Sequence, residues 1–130
     1  MSEPEIRRLI EHWVAGINAM DVDALVADHT ADIVMFDVPP PFAGVRGLDE
    51  YRDCWAPFFE WLESGAVFEL EELHVTAGDS VAYAYGLVRC GTAEEFAAQP
   101  AMRLRISFGL RREDGRWQVA HEHHSFPMLD

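Results

Sequence analysis

The chain has 130 residues, of which 49% are hydrophobic and 12% aromatic, and a formal net charge of −13. That length and apolar content predict one globular domain with its own core and exclude a disordered chain. The charge opposes binding to nucleic acid and to anionic membranes, and the absence of lysine among the ten basic residues excludes Schiff-base chemistry through lysine.

Ile6, Leu9, Ile10, Trp13, Val14, Ile17 and Met20 recur at spacings of three and four, which predicts an amphipathic first helix over 2–20. Ser2 and Glu5 have capping-box spacing, and Pro4 is tolerated in a first turn. Asp21 is suited to cap a short second helix over 22–29. A short apolar strand is expected over 31–37, and a turn over 44–47. Leu48, Tyr51, Trp55, Phe59 and Leu62 mark a third helix, which Pro57 should kink or break near Ala56.

After Gly65 the apolar period changes to two. Strands are predicted over 66–76, 81–91, 101–112 and 117–126, with hairpin turns at Gly78-Asp79 and Glu113-Asp114-Gly115. A loop containing at most a helical turn covers 92–100. Helices followed by an antiparallel meander predict a single α+β domain over 1–130, with the helices on one face of the sheet.

The segment Phe36-Asp37-Val38-Pro39-Pro40-Pro41 carries the chemical interest. The prolines must end the strand in a stiff loop, and they leave Asp37 at its tip among apolar residues. An acid so placed either caps the loop, pairs with an arginine, or serves a dry cavity as a general base. No apolar run approaches the roughly 20 residues that cross a bilayer. Met1-Ser2-Glu3-Pro4-Glu5 lacks the features of a signal peptide, so a cytoplasmic location is expected. Cys54 and Cys90 are then expected as buried thiols. No nucleophile elbow, tied Cys–His pair or phosphate loop is present in the sequence.

The stretch Trp13-Val14-Ala15-Gly16-Ile17-Asn18-Ala19-Met20-Asp21-Val22-Asp23, then Asp37 before the proline loop, then Gly44, resembles the first half of a ketosteroid isomerase. The run Trp117-Gln118-Val119-Ala120-His121-Glu122-His123-His124-Ser125 resembles the last strand of SnoaL-like proteins and the association domain of a calmodulin-dependent kinase. All belong to the nuclear-transport-factor-2-like superfamily. The resemblance implies a cone: a strongly curved, mainly antiparallel sheet around three N-terminal helices, an internal pocket, and dimers through the sheet. Asp37 matches the general base of the isomerases, and Trp13 stands where they carry an oxyanion-donating tyrosine. Their second donor, an acid, falls near Ser107, where this chain has none.

The resemblance also turns Tyr83, Tyr85, Leu87 and Arg89 inward, and with them Arg103, Arg105 and Ser107. The competing reading of that strand puts Leu104, Ile106 and Phe108 in the core. In the last strand it turns Gln118, Ala120, Glu122 and His124 to the pocket, with Trp117, Val119, His121 and His123 opposite. The expected site is therefore Asp37 and His124 as catalytic groups, with Trp13, Phe36, Tyr51, Trp55, Phe59, Tyr83, Tyr85, Arg105, Ser107 and Glu122 around the ligand. The ligand is a small organic molecule with a carbonyl, enol or carboxylate. No cofactor is expected. A metal held by Asp37 and the His121, His123 and His124 group is the weaker reading, because the His-x-His pair falls on the face away from the pocket. His12, His29 and His74 read as surface or core-edge residues. The implied activity is that of a cofactor-independent isomerase, cyclase or lyase; the alternative is a ligand-binding or dimeric assembly module.

Overall fold

The structure is a computed structural model that describes residues 2–129. The first helix, α1 (Ser2–Asn18), buries Ile6, Ile10, Trp13 and Ile17 along one stripe. It lies on strand β3 (Val67–Ala77), where Arg7 donates to the Leu73 carbonyl at 2.8 Å and Asn18 to the Phe68 carbonyl at 2.9 Å. Asp21 caps α2 (Val22–Val26) by accepting from the Ala24 N–H at 3.1 Å. That helix stops three residues short of the expected end, because the chain is already entering β1 (His29–Phe36). A two-residue strand, β2 (Val45–Arg46), pairs with β1 where only a turn was expected.

The expected third helix is two helices, α3 (Leu48–Asp53) and α4 (Ala56–Glu63). Pro57 sits in the first turn of α4, where its missing N–H costs nothing. The remaining elements are β3, β4 (Val81–Gly91), α5 (Ala93–Ala98), β5 (Leu104–Glu113) and β6 (Arg116–Ser125). Thr92 and Glu95 form a capping box that makes a true helix of the expected loop.

The sheet has the order β2-β1-β6-β5-β4-β3. Every neighbouring pair is antiparallel except β1 with β6. The α+β expectation and the mainly antiparallel sheet therefore hold, with one parallel pair added. Bulges curve the sheet around the helices. One makes Glu71 the extra residue of β3, opposite β4. Another makes Ala120 the extra residue of β6, opposite Gly109 and Leu110.

The Ala120 bulge changes which residues of β6 share a face. Trp117 and Val119 are buried before it, and Glu122 and His124 after it. Glu122 and His124 thus point inward as expected, but Trp117 and Val119 join them rather than opposing them. His121 and His123 remain on the other side, where both pack edge-on against Phe36 at ring distances of 5.3 and 5.8 Å.

In β4 the expected orientation is reversed. Ala82, Ala84, Val88 and Cys90 are buried, while Tyr83 and Tyr85 are 55% and 49% exposed. Small side chains face the packed interior, and the tyrosines are left outside. Across the pair, Leu104, Ile106 and Phe108 are core and Arg105 and Ser107 are exposed. Tyr83, Tyr85, Arg105 and Ser107 therefore contact solvent and not a ligand in the interior.

Candidate active site

Asp37 follows β1 directly, and its Oδ1 accepts the Val38 N–H at 2.7 Å. The proline loop behind it forms one wall of a cavity of about 660 Å³. The other walls are Cys54, Trp55, Phe58 and Trp61 from α3, α4 and their junction, Phe68 and Cys90 from β3 and β4, and Leu104 with Phe126. Asp37 and His124 are the polar groups of this apolar wall that lie within reach of each other, with His124 Nδ1 3.5 Å from Asp37 Oδ1. Glu50 and Asp53 add two more carboxylates at the exposed edge. Among the described residues Asp37 Oδ2 takes no hydrogen bond.

Behind His124 the polar groups continue into the core. His124 Nε2 lies 3.0 Å from Glu122 Oε1, and His29 Nε2 lies 2.6 Å from Glu122 Oε2. Tyr51 donates to the same Oε2 at 2.7 Å, and Trp13 donates its indole N–H to the Tyr51 hydroxyl at 2.8 Å. All five side chains are buried. The Trp13 ring also closes edge-on over Trp55, Phe68, Phe108 and His124.

Burial opposes charge on His124, yet the hydrogen bonds and charges of Asp37 and Glu122 outweigh it and raise its pKa to about 9. Burial likewise opposes charge on Glu122, but bonds from His124 and His29 hold its carboxyl down at about 2. Burial, with Glu122 beside it, keeps the Tyr51 hydroxyl well above its usual range and so protonated. Both free cysteines are raised to about 12, chiefly by burial, and are neutral thiols; Cys90 is buried as expected, and Cys54 is half-buried.

Beside the exposed Tyr83, Tyr85, Arg105 and Ser107, the other residues expected around a ligand divide into three groups. Asp37, His124 and Trp55 line the cavity. Trp13, Tyr51 and Glu122 lie beneath it, bonded to one another, so Trp13 has no N–H to offer an oxyanion and Glu122 is not a ligand contact. Phe59 stacks on Trp55 and Phe36 packs against His121 and His123, and neither is part of the cavity lining. His29 was expected at a surface or core edge and is 4% exposed within the network. It shares its strand with the buried Ile33 and Met35, and a strand begun at 29 rather than 31 would have included it. Phe58, Trp61 and Phe68 are cavity residues that periodicity identified only as helix and strand positions. Among the described residues no group of three or more His, Cys, Asp or Glu side chains is placed to hold a metal ion. His121 Nδ1 instead donates to the Val34 carbonyl, at 2.7 Å.

The model of the SnoaL-like domain matches residues 6–129. The chain belongs to the SnoaL-like domain family. A solved NTF2-like protein of unknown function from Pseudomonas putida KT2440 is 35% identical to this SnoaL-like chain. The alignment covers 98% of the chain and 88% of that protein, with a TM-score of 0.85. A candidate ketosteroid isomerase from Shewanella frigidimarina is 15% identical over 91% of this chain and 92% of its own, with a TM-score of 0.72. An NTF2-like protein with a cystatin-like fold from Novosphingobium aromaticivorans is 17% identical over 98% and 82%, with a TM-score of 0.75. The last two show the shared fold. No curated protein matches the chain. No helix of the described SnoaL-like domain is long and apolar enough to cross a membrane.

The charged pair at the centre of this SnoaL-like domain makes its stability depend on pH. His124 contributes stability that is complete below its ordinary pKa of 6.5 and is lost as pH rises through about 9. Glu122 contributes stability that is complete above 4.5 and is lost as pH falls toward about 2. Thermal melts followed by circular dichroism should give a melting temperature that declines from pH 7 to 10, and a His124→Gln variant should lose that alkaline decline.

Proposed function

We propose that the cavity binds a small organic molecule bearing a carbonyl or enol, and that Asp37 removes a proton from the carbon beside that group without a cofactor. The observation that supports this most is an aspartate with one oxygen free of protein partners, set in an apolar cavity with the His124 imidazole 3.5 Å from its other oxygen. The C–H electron pair moves into the carbonyl as the proton passes to Asp37 Oδ2, and the oxygen gains negative charge. His124, whose Nδ1 lies 3.5 Å from Asp37 Oδ1, is the side-chain donor beside it in the cavity and polarises or protonates that oxygen. Returning the proton at another carbon gives an isomerase; closing a ring or expelling a leaving group gives a cyclase or a lyase.

Several carboxylates near the cavity disfavour a carboxylate ligand over a neutral ketone or enol. Trp55 and Trp61 line the cavity, so their fluorescence reports occupancy. A panel of aromatic and alicyclic ketones should include members that quench it saturably, and these should bind Asp37→Asn within a few fold of wild type. A panel that never quenches counts against the cavity as a binding site.

The second reading is an assembly module. The outer face of β4 exposes Val81, Tyr83 and Tyr85, and Tyr85 stacks on His74 of β3. A second copy of the chain is the simplest cover for such a face. Sedimentation at micromolar concentration should then show a dimer that Tyr83→Glu and Tyr85→Glu dissociate; a monomer throughout would contradict it.

A further inference from the structure

We propose that Glu122 is a positioning residue: braced by Tyr51, His29 and Trp13, it fixes the ring of His124 so that Nδ1–H is the hydrogen-bond donor presented at the cavity.

An ionised carboxylate only accepts, so every partner of Glu122 must donate. His124 therefore carries a proton on Nε2, as does His29. Tyr51 has a single hydroxyl proton. His29 Nε2, 3.0 Å from the Tyr51 oxygen, already carries a proton and cannot accept, so that proton is directed to Glu122, and the phenol oxygen accepts from Trp13. The bonds run one way, from the indole to the phenol to the carboxylate, and from both imidazoles to the same carboxylate. Glu122 has both oxygens occupied and no contact with solvent, so it has no role left except to hold its donors. Turning the His124 ring over would break the 3.0 Å bond to Oε1 at the base of the cavity. With Nε2 committed there, Nδ1 is the nitrogen left on the Asp37 side.

At 3.5 Å the contact between Nδ1 and Asp37 is too long for a strong hydrogen bond, so a ligand oxygen can share that proton. A positively charged ring supplies the oxyanion partner that Trp13 and Ser107 do not. Other elements around His124 leave its charge state to these two acids. The loop after β1 brings Asp37, and β1 itself, through Glu122, His29; α3 brings Tyr51; α1 brings the uncharged Trp13 edge; β5 brings Ile106 as the cross-strand neighbour. Cys54 and Cys90 are neutral. Only the direction in which Nδ1–H is offered rests on the cavity being the working site.

Nitrogen-15 NMR of the histidine rings in the ligand-free protein tests this. In the wild type both His124 nitrogens should carry protons through pH 8. Glu122→Gln should lower the midpoint of that titration by about a unit or more, a tenfold or greater loss of proton affinity. Tyr51→Phe keeps the ring and the charges but removes one brace, and should speed solvent exchange of the His124 Nε2 proton. It also decides the matter if Glu122→Gln does not fold. A purely structural role for Glu122 would lower the melting temperature and leave the His124 midpoint in place. That result, a neutral His124 at pH 7, or unchanged exchange in Tyr51→Phe overturns the proposal. Ligand binding is not needed for any of these readings, so a cavity that binds nothing would leave the positioning role standing and remove only the proposed function.

Discussion

Replacing Asp37 with asparagine should lower turnover by roughly 10²–10⁴, the usual scale for loss of a positioned general base. The amide keeps the shape of the side chain and can still accept the Val38 N–H through its oxygen. It cannot hold a proton taken from carbon. The substitution also removes one of the two carboxylates that keep His124 charged, so its His124 should lose its proton at lower pH than in the wild type. The loss of turnover should therefore deepen as pH rises. Steady-state kinetics on a substrate found by the fluorescence panel, with kcat and KM separated, checks this. A fall confined to KM would assign Asp37 to binding, and undiminished turnover would remove its catalytic role.

Gly86→Ala should destabilise the fold by about 3 kcal/mol, at the upper end of the cost of forcing an atom into a packed interior. A Cβ on Gly86 would meet the Glu72 carbonyl oxygen at 2.2 Å. That oxygen is backbone, and the Glu71 bulge holds it over Gly86 within the β3–β4 ladder. It cannot withdraw without breaking pairs on either side. Gly109→Ala is the control, since its Cβ would meet the His121 Cβ at an ordinary 3.5 Å. Urea unfolding should separate the two variants clearly, with Gly109→Ala close to wild type. Equal midpoints would show that the bulge relaxes at little cost.

The same bulges limited what the sequence could reveal about the site. The change of period after Gly65 located four strands, and strand β4 was placed at its observed bounds. Periodicity does not show a single extra residue, and Ala120 alone decides that Val119 and Glu122 share a side. In β4 both faces carry apolar residues, so alternation by itself could not choose between the Ala82 and Tyr83 sets. The stripe of small residues under the packed interior made that choice. Asp37 was legible because three local features converge on it: an apolar strand, a strand end and three prolines. The network under His124 was not, because its partners are far apart in the chain. Glu122 and His29 are separated by 93 residues, and Trp13 and Tyr51 by 38. No short motif encodes such a pairing, and His29 was read as peripheral for that reason.

Proton abstraction beside a carbonyl is the central claim, and it can be observed without knowing the final product. In D₂O, proton NMR of a ketone panel follows the exchange of each α-hydrogen for deuterium. The wild-type protein should erase the α-proton signal of at least one ketone that quenches Trp55 and Trp61, and Asp37→Asn should leave that signal intact over the same period. Exchange at equal rates in both proteins, or binding by the wild type with no exchange at any α-carbon, would contradict the account.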